Sequence, residues 1–255
     1  MLSRERQEAR EGQEGAGRER TEQVRRIFSS IPRRYDFLNH FLSFRRDVAW
    51  RRFTVGRMRF FRTRRLLDVA TGTGDLAIEA ALVYPEIEVV GLDLVPGMLE
   101  LGREKIRRRG LEGRVRLVEG DALALPFERG SFDTASIAFG IRNIPDREAA
   151  LKEMARVVAP GGRVLVLELT TPRGALLRAL YALYLKGLLP VIGRVVSGDS
   201  GAYSYLAESI MEFPSPGEFS GTMRRAGLTD VKATALTLGV AHLHEGTIPE
   251  GKAAG

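Results

Sequence analysis

The run Leu66-Leu-Asp-Val-Ala-Thr-Gly-Thr-Gly-Asp-Leu-Ala77 constrains the fold more than any other segment of the chain. Apolar residues end at an aspartate, enter a glycine-rich turn and continue into a helical pattern. A strand that stops at Gly72-Thr73-Gly74 lets a ligand reach backbone where a side chain would collide. The helix that follows turns its free N–H groups and positive end toward that ligand. Gly72-x-Gly74-x-x-Ala77 also fits the dinucleotide fingerprint, so the loop alone leaves the ligand open.

The same alternation continues for a hundred residues. Strands are expected at 66–70, at 88–92 ending on Asp93, at 115–119, at 134–139 and at 163–169, the last after a Pro160-Gly161-Gly162 turn. Helices are expected at 76–83, 96–109 and 147–158. Strands separated by helices imply right-handed crossovers, hence an α/β fold with a Rossmann-like, doubly wound, mostly parallel sheet. Its ligands bind at the carboxyl ends of the strands. One domain, 24–255, is expected after a disordered or frayed tail at 1–23. Residues 24–65 form a helical cap divided at Pro32, 66–170 the ligand-binding core, 171–216 a lid, and 217–246 a helix (217–226) and two strands (about 229–235 and 238–243).

Within the lid, residues 174–196 are the most apolar stretch. Arg178, Lys186, Pro190 and Arg194 interrupt them, leaving less than the roughly 20 continuous apolar residues of a membrane-spanning helix. The stretch reads as a lid over the pocket, a membrane-facing helix, or a helix packed in the core. Charge is also uneven: of a net +7, residues 24–65 hold 13 Arg against Asp36 and Asp47. That patch suits anionic lipid or nucleic acid, or simply follows from a composition with 34 Arg and five Lys. No aromatic-basic motif of an RNA module accompanies it, so no nucleic-acid partner is expected. The absence of cysteine excludes thiolate nucleophiles and Cys-ligated metals, and the three histidines (His40, His242, His244) argue against a His-based metal site. We expect no metal, and a cytoplasmic protein, at the inner membrane surface if it touches lipid.

Three aspartates narrow the ligand. Asp68 precedes the loop, where a carboxylate suits a ligand carrying an ammonium and a sulfonium. Asp93 lies 19 residues after Gly74 and can accept from both hydroxyls of an adenosine ribose, or cap the helix that begins near Pro96. Asp121 can accept from an adenine amine while the Ala122 N–H serves a ring nitrogen. No lysine or arginine stands beside the loop in sequence to take a phosphate. The combination favours S-adenosylmethionine, with S-adenosylhomocysteine as product, over a dinucleotide.

From about Val24 to Gly246 the chain resembles the ubiquinone/menaquinone biosynthesis C-methyltransferases, within the class I S-adenosylmethionine-dependent methyltransferases. The resemblance rests on the glycine loop, Gly91-Leu-Asp93, Gly120-Asp-Ala122, Leu125-Pro-Phe127, Ser131-Phe-Asp133, Glu153-Met-Ala-Arg156 and Pro160-Gly-Gly162. More particular to that family are Phe139-Gly-Ile-Arg-Asn143, Ser204 to Pro214, and Leu236 to Gly246. It implies methylation at a ring carbon of a polyprenyl hydroquinone, as in demethylmenaquinol to menaquinol. It also implies cofactor contacts from Asp68, Ala70, Gly72, Thr73, Gly74, Asp93, Leu94, Asp121, Ala122 and Ala138, where family members often carry serine at the last. Arg33-Arg-Tyr-Asp-Phe-Leu-Asn39 is family-like and places Tyr35 and Asp36 over the cofactor. Two departures stand in the cap: Arg45-Arg46-Asp47-Val48 where Gly-x-His-Arg is usual, and His40 where an acid is.

Carbon methylation needs a phenolate that pushes charge onto the adjacent ring carbon, whereas a free phenol has a pKa near ~10. A cation or donor beside it stabilises the phenolate. Arg142 and Asn143 are the candidates, with Tyr35. The competing roles are an Arg142 ion pair with Asp146 or a neighbouring acid, and Asn143 as cap of the helix after Pro145. The general base stays open among His244, Tyr203, Asp199 and Asp36. Peripheral contact with anionic membrane and a homodimer are left open as well.

Overall fold

The computed structural model describes residues 22, 25, 26, 43, 45–188 and 201–250. The tail, most of the cap with Tyr35, Asp36 and His40, and Asp199 lie outside them, as does the Tyr203 side chain. The elements are α1 (Arg46–Val55), β1 (Arg65–Val69), α2 (Asp75–Val83), β2 (Glu88–Asp93), α3 (Pro96–Arg108), β3 (Val115–Glu119), β4 (Phe132–Ala138), α4 (Arg147–Val157) and β5 (Val158–Leu169). There follow α5 (Ala175–Leu183), α6 (Gly201–Met211), α7 (Pro216–Arg225), β6 (Thr229–Leu236) and β7 (Ala241–Thr247). The strands form one sheet in the order β3-β2-β1-β4-β5-β7-β6. All neighbours are parallel except β7, which runs antiparallel to β5 and β6.

Strands covered by helices on both faces read as continuous apolar runs. Leu66, Leu67 and Val69 of β1 and Val164 to Leu167 of β5 are accordingly sealed from solvent. The order of strands reverses between β1 and β4, so their carboxyl ends diverge into a crevice there. α4 is capped by Asp146, whose Oδ1 accepts from Ala149 N–H at 2.9 Å. α7 starts with a capping box between Ser215 and Glu218.

One buried carboxylate ties the cap to the sheet. Asp133 accepts from the backbone N–H groups of Phe61, Arg62, Thr63 and Arg64 at 2.8–3.0 Å, just before β1. Burial pushes its carboxyl up, but these four donors outweigh it and hold the pKa below the usual range.

Three boundaries differ from the expectation. β5 begins at Val158, so Pro160-Gly161-Gly162 lies inside the strand; a Cβ at Gly162 would stand 2.5 Å from the Asp133 carbonyl oxygen. The final strand starts at Ala241, because Thr237–Gly239 forms a 3-10 turn with Leu238 at φ 58°. Among the described residues the lid holds two helices, α5 and α6, and α5 buries none of its residues, which removes the core-helix alternative for that helix.

Candidate active site

The chain leaves β1 through three left-handed residues, Ala70 (φ 50°), Gly72 (φ 58°) and Gly74 (φ 80°). Glycine takes such angles without penalty; Ala70 does not. The loop is held by Thr71 N–H donating to Leu92 O at 3.0 Å, and by Asp93. Oδ2 of Asp93 accepts from Gly72 N–H at 2.7 Å and Oδ1 from Val95 N–H at 2.9 Å. Burial pushes the Asp93 carboxyl up, opposed by those backbone donors. One carboxylate thus fixes both the glycine loop and the following turn, and still has lone pairs toward the cleft. The cap alternative is not realised: the N-cap of α3 is Val95, and no side chain caps the helix.

An open cleft lies outside the carboxyl ends of β1, β2 and β4. Eight of the expected residues line it: Ala70, Gly72, Asp93, Leu94, Asp121, Ala122, Ala138 and Asn143. Val95, Met98, Leu123, Phe139 and Ile144 add apolar walls that the sequence did not point out. Asp121 sits at the exposed rim, its Oδ1 accepting from Leu123 N–H at 2.9 Å. Carboxylates at β2 and β3, apolar walls between them and bare backbone at Gly72 suit an adenosyl ligand.

Three expected contacts stand behind that wall instead. Gly74 caps α2 and Thr73 is buried, its hydroxyl accepting from Lys105 Nζ at 2.8 Å. Asp68 is 1% exposed, with Thr71 Oγ1 donating to Oδ2 at 2.7 Å and Ser136 Oγ to Oδ1 at 2.9 Å. Burial raises its pKa to about 6 against the pull of both hydroxyls and Arg51. Asp68 therefore braces the loop and does not form the wall. A cation does reach the loop, contrary to the sequence reading: Lys105 arrives from α3, and Asp75 takes its charge at 2.6 Å. Sequence distance hid it.

A second cavity adjoins the first and shares Phe139 with it. Trp50, Phe139, Leu169, Tyr181, Tyr184, Leu185, Leu206, Ile210 and Val240 make it apolar, with Ser43, Asp47 and Arg142 as its polar groups. Phe139 walls both cavities, at φ 58° and with its ring 6.1 Å from Trp50. Trp50 Nε1–H is fixed by Thr237 Oγ1 at 2.9 Å. Burial pushes the Tyr181 hydroxyl's pKa up, and Tyr184 beside it adds to this.

Arg142 and Asn143, adjacent in sequence, face different cavities. Asn143 lines the cleft and its Oδ1 accepts from Tyr205 OH at 3.1 Å, so it does not cap α4. Arg142 lines the apolar cavity at 4% exposure. Its Nη1 donates to Glu168 Oε1 at 2.6 Å and to Phe139 O at 2.5 Å. Glu168, fully buried on β5, also accepts from the N–H groups of Arg142 (3.2 Å) and Leu169 (2.9 Å). The expected ion pair exists, but with Glu168 and not Asp146. A charge inside the apolar run Val164–Leu169 was the signal that could have found it.

His244 is a correction. It is fully buried on β7, edge-on to the Phe219 ring at 4.9 Å and with Nδ1 3.4 Å from Ser220 Oγ. Burial, with His242 beside it, holds its pKa at about 3, and it lines neither cavity. It is packing beneath α7, not the base of this site. Among the described residues no cluster of His, Asp or Glu is arranged to hold a metal ion.

Known proteins resemble this chain over most of its length. Residues 16–248 match the model of the ubiE/COQ5 methyltransferase family. The demethylmenaquinone methyltransferase of Thermus thermophilus is 48% identical over 223 residues, which span 88% of this chain and 100% of that protein. A ubiquinone/menaquinone biosynthesis C-methyltransferase of Geotalea uraniireducens is 46% identical over 229 residues, 89% of this chain and 97% of that protein. Among solved structures, a SAM-dependent methyltransferase of Thermotoga maritima superposes with a TM-score of 0.61 at 19% identity, over 88% of this chain and 98% of that one. That likeness carries the fold.

Proposed function

Because the chain belongs to the ubiE/COQ5 methyltransferase family, we propose that its two cavities join S-adenosylmethionine to a polyprenyl hydroquinone across Phe139. The activity is S-adenosylmethionine-dependent C-methylation in quinone biosynthesis. The substrate we favour is demethylmenaquinol, supported by relatives named for it in Thermus thermophilus and Deinococcus radiodurans. A benzoquinol is the second reading, supported by relatives named for both quinones.

S-adenosylmethionine supplies the methyl as an electrophilic sulfonium and leaves as S-adenosylhomocysteine. Asp93 and Asp121 hold the nucleoside from the ends of β2 and β3, and Gly72 lets the ligand lie against bare backbone. Asp68, through Thr71, keeps the loop in shape. Trp50, Tyr181 and Tyr184 exclude water from the ring and its tail, which also strengthens any charge interaction there. Arg142 donates toward the hydroxyl that becomes the phenolate as its proton passes to a general base among Asp36, Asp199 and Tyr203. Because Glu168 neutralises it, its contribution is a directed hydrogen bond more than a free positive charge. Asn143, on the cleft side, orients the cofactor end of the reaction, with Tyr205 fixing its amide. Tyr35 enters this reading from the cap.

The observation that carries the proposal is the shared wall. Phe139 touches both cavities, so a ring in one can face a methyl in the other. The test uses cofactor labelled at the methyl, with reduced demethylmenaquinone and demethylated benzoquinol analogues in competition. Label on a ring carbon of the naphthoquinol supports the reading; label on oxygen, or none, rejects it. Calorimetry should show S-adenosylhomocysteine binding and none for NADH. The tail of such a substrate resides in a bilayer, so we also infer peripheral contact with anionic membrane on the cytoplasmic side. Sedimentation equilibrium tests the homodimer.

A further inference from the structure

α5 is apolar on two sides. Tyr181 and Tyr184, with Leu185 in the π-helical turn Tyr184–Leu188 that continues it, wall the second cavity. Leu176, Leu180 and Leu183 form another row, 77%, 56% and 69% exposed, at spacings that align them on one face. Beside the start of this helix stands the β6–β7 turn. Thr170 N–H donates to Val240 O at 2.9 Å, and Gly239 packs close to Pro172. At the turn's tip Leu238 is 81% exposed and held at φ 58°. A single exposed leucine means little, but four on segments whose other residues wall one apolar cavity mark an interaction surface.

Along this stretch the sequence carries charge of one sign. From Leu169 to Gly198 the sequence contains no acid, and Arg173, Arg178 and Lys186 are exposed. Among the described residues no helix is long and apolar enough to cross a membrane. We propose that α5 and the Leu238 tip lie on the surface of an anionic lipid bilayer and open the second cavity directly to it. The inference rests on reading that cavity as the seat of a polyprenyl quinol. It places the docking face on the lid and the β6–β7 turn. An isologous contact with a second copy would set Arg173, Arg178 and Lys186 against their own like charges. An apolar-cationic face with no acid instead matches lipid tails beneath anionic headgroups.

The test measures sedimentation of the full chain with phosphatidylglycerol/phosphatidylcholine vesicles and with pure phosphatidylcholine. A second measurement compares turnover of long-chain demethylmenaquinol in those vesicles with that of a tail-less naphthoquinol in water. The variant combines Leu176→Ser, Leu180→Ser and Leu183→Ser, all exposed positions outside both cavity walls. Vesicle affinity should fall about tenfold per leucine. KM for the vesicle-borne substrate should rise in parallel, while kcat on the tail-less substrate stays at the wild-type value. Arg178→Gln should weaken binding about fivefold on anionic vesicles only. Unchanged vesicle binding by the triple variant overturns the proposal, as does equal wild-type binding to both vesicle types. So does a lower melting temperature of the variant, which would mean that the chain's own residues cover this face. A wild-type dimer that the variant dissolves would assign the face to a second copy and likewise overturn it. Failure of the catalytic reading looks different: anionic vesicles bind and the triple variant does not, yet no quinol is methylated.

Discussion

Asp68→Asn separates a loop brace from an ordinary core residue. The carboxylate is 1% exposed and its pKa is raised from 3.8 to about 6, chiefly by burial. Its folded-state pKa therefore lies above the unfolded value. The folded protein binds the proton more tightly, so stability is greatest below about pH 4 and is lost as pH rises through 6. A rise from 3.8 to about 6 corresponds to a loss on the order of 3 kcal/mol, at about 1.4 kcal/mol per pH unit. His244 carries the opposite sign: its depressed pKa, about 3, favours folding above pH 6.5 and works against it as pH falls. Subtracting the Asp68→Asn profile from that of the wild type cancels His244 and every other shared group.

Asparagine keeps the shape and can still bond Thr71 and Ser136, whose hydroxyls rotate to donate or accept. Without the buried charge, the variant should be as stable as wild type at pH 4 and more stable by up to about 3 kcal/mol at pH 8. The assay is urea unfolding of the unliganded proteins between pH 4 and 8, with calorimetric titration of S-adenosylhomocysteine and S-adenosylmethionine. Binding of the cationic methyl donor at pH 8 should weaken about tenfold, from lost attraction to a buried carboxylate. A difference profile flat to within about 0.5 kcal/mol would refute the desolvated carboxylate. Unchanged affinity would show that Asp68 serves the loop's shape alone.

Arg142→Ala should leave cofactor affinity near normal and lower kcat at least about hundredfold, the scale of a lost transition-state donor; unchanged turnover removes Arg142 from the mechanism. Glu168→Gln uncovers the Arg142 charge, so the rise of kcat with pH should move to lower pH while thermal stability drops; a shift toward higher pH would show that Glu168 is not masking that charge. Gly102→Ala places a Cβ 2.5 Å from Leu117 Cδ1 and 3.2 Å from the Thr73 backbone, so urea unfolding should show a loss of about 1–3 kcal/mol and calorimetry a weaker cofactor. Asp133→Asn weakens the four backbone bonds that enter β1, costing about 2 kcal/mol in urea unfolding at pH 7. Its depressed pKa means this stability is present above the ordinary aspartate value and lost below about pH 4, where the two proteins should converge.

What the sequence made legible was what it encodes locally. A strand, a glycine turn and a helix are neighbours in the chain, and Asp93 and Asp121 fall at strand ends wherever the sheet is drawn. Lys105 and Glu168 were not legible in their roles, because α3 and β5 bring them to Thr73 and Arg142 only after the sheet has formed. His242 and His244 show the limit from the other side. Their period-two spacing correctly puts both on one face of β7, with rings 6.1 Å apart. Periodicity does not say which layer covers that face, and α7 covers it with Phe219 and Ser220. The lid's apolar run was ambiguous for a related reason: composition cannot tell an apolar wall with one side in solvent from one buried on both.

The split between Arg142 and Asn143 has its origin in the backbone three residues before Arg142. Phe139 ends β4 in a left-handed conformation that is costly for an aromatic residue, about 1–3 kcal/mol. Its N–H is spent on Leu167 O at 2.8 Å, and Gly140 follows where a Cβ would stand 2.7 Å from Ala70 Cβ. Ala70, the partner in that contact, ends β1 and is itself left-handed. Two strained residues therefore meet where the strand order reverses, one from each side of the crevice. Relaxing either would move the wall the two cavities share. The strain persists because β1 and β4 are paired in register from Leu66–Thr134 to Val69–Ile137, and the sheet leaves the turn no other exit. With that exit fixed, the short 3-10 turn Ile141–Asn143 sends Arg142 back over β5 to Glu168 and Asn143 outward to the cleft. A methyl donor and a ring acceptor would therefore meet beside the Phe139 ring, since in-line transfer needs the reacting atoms about 3–3.5 Å apart with nothing between them.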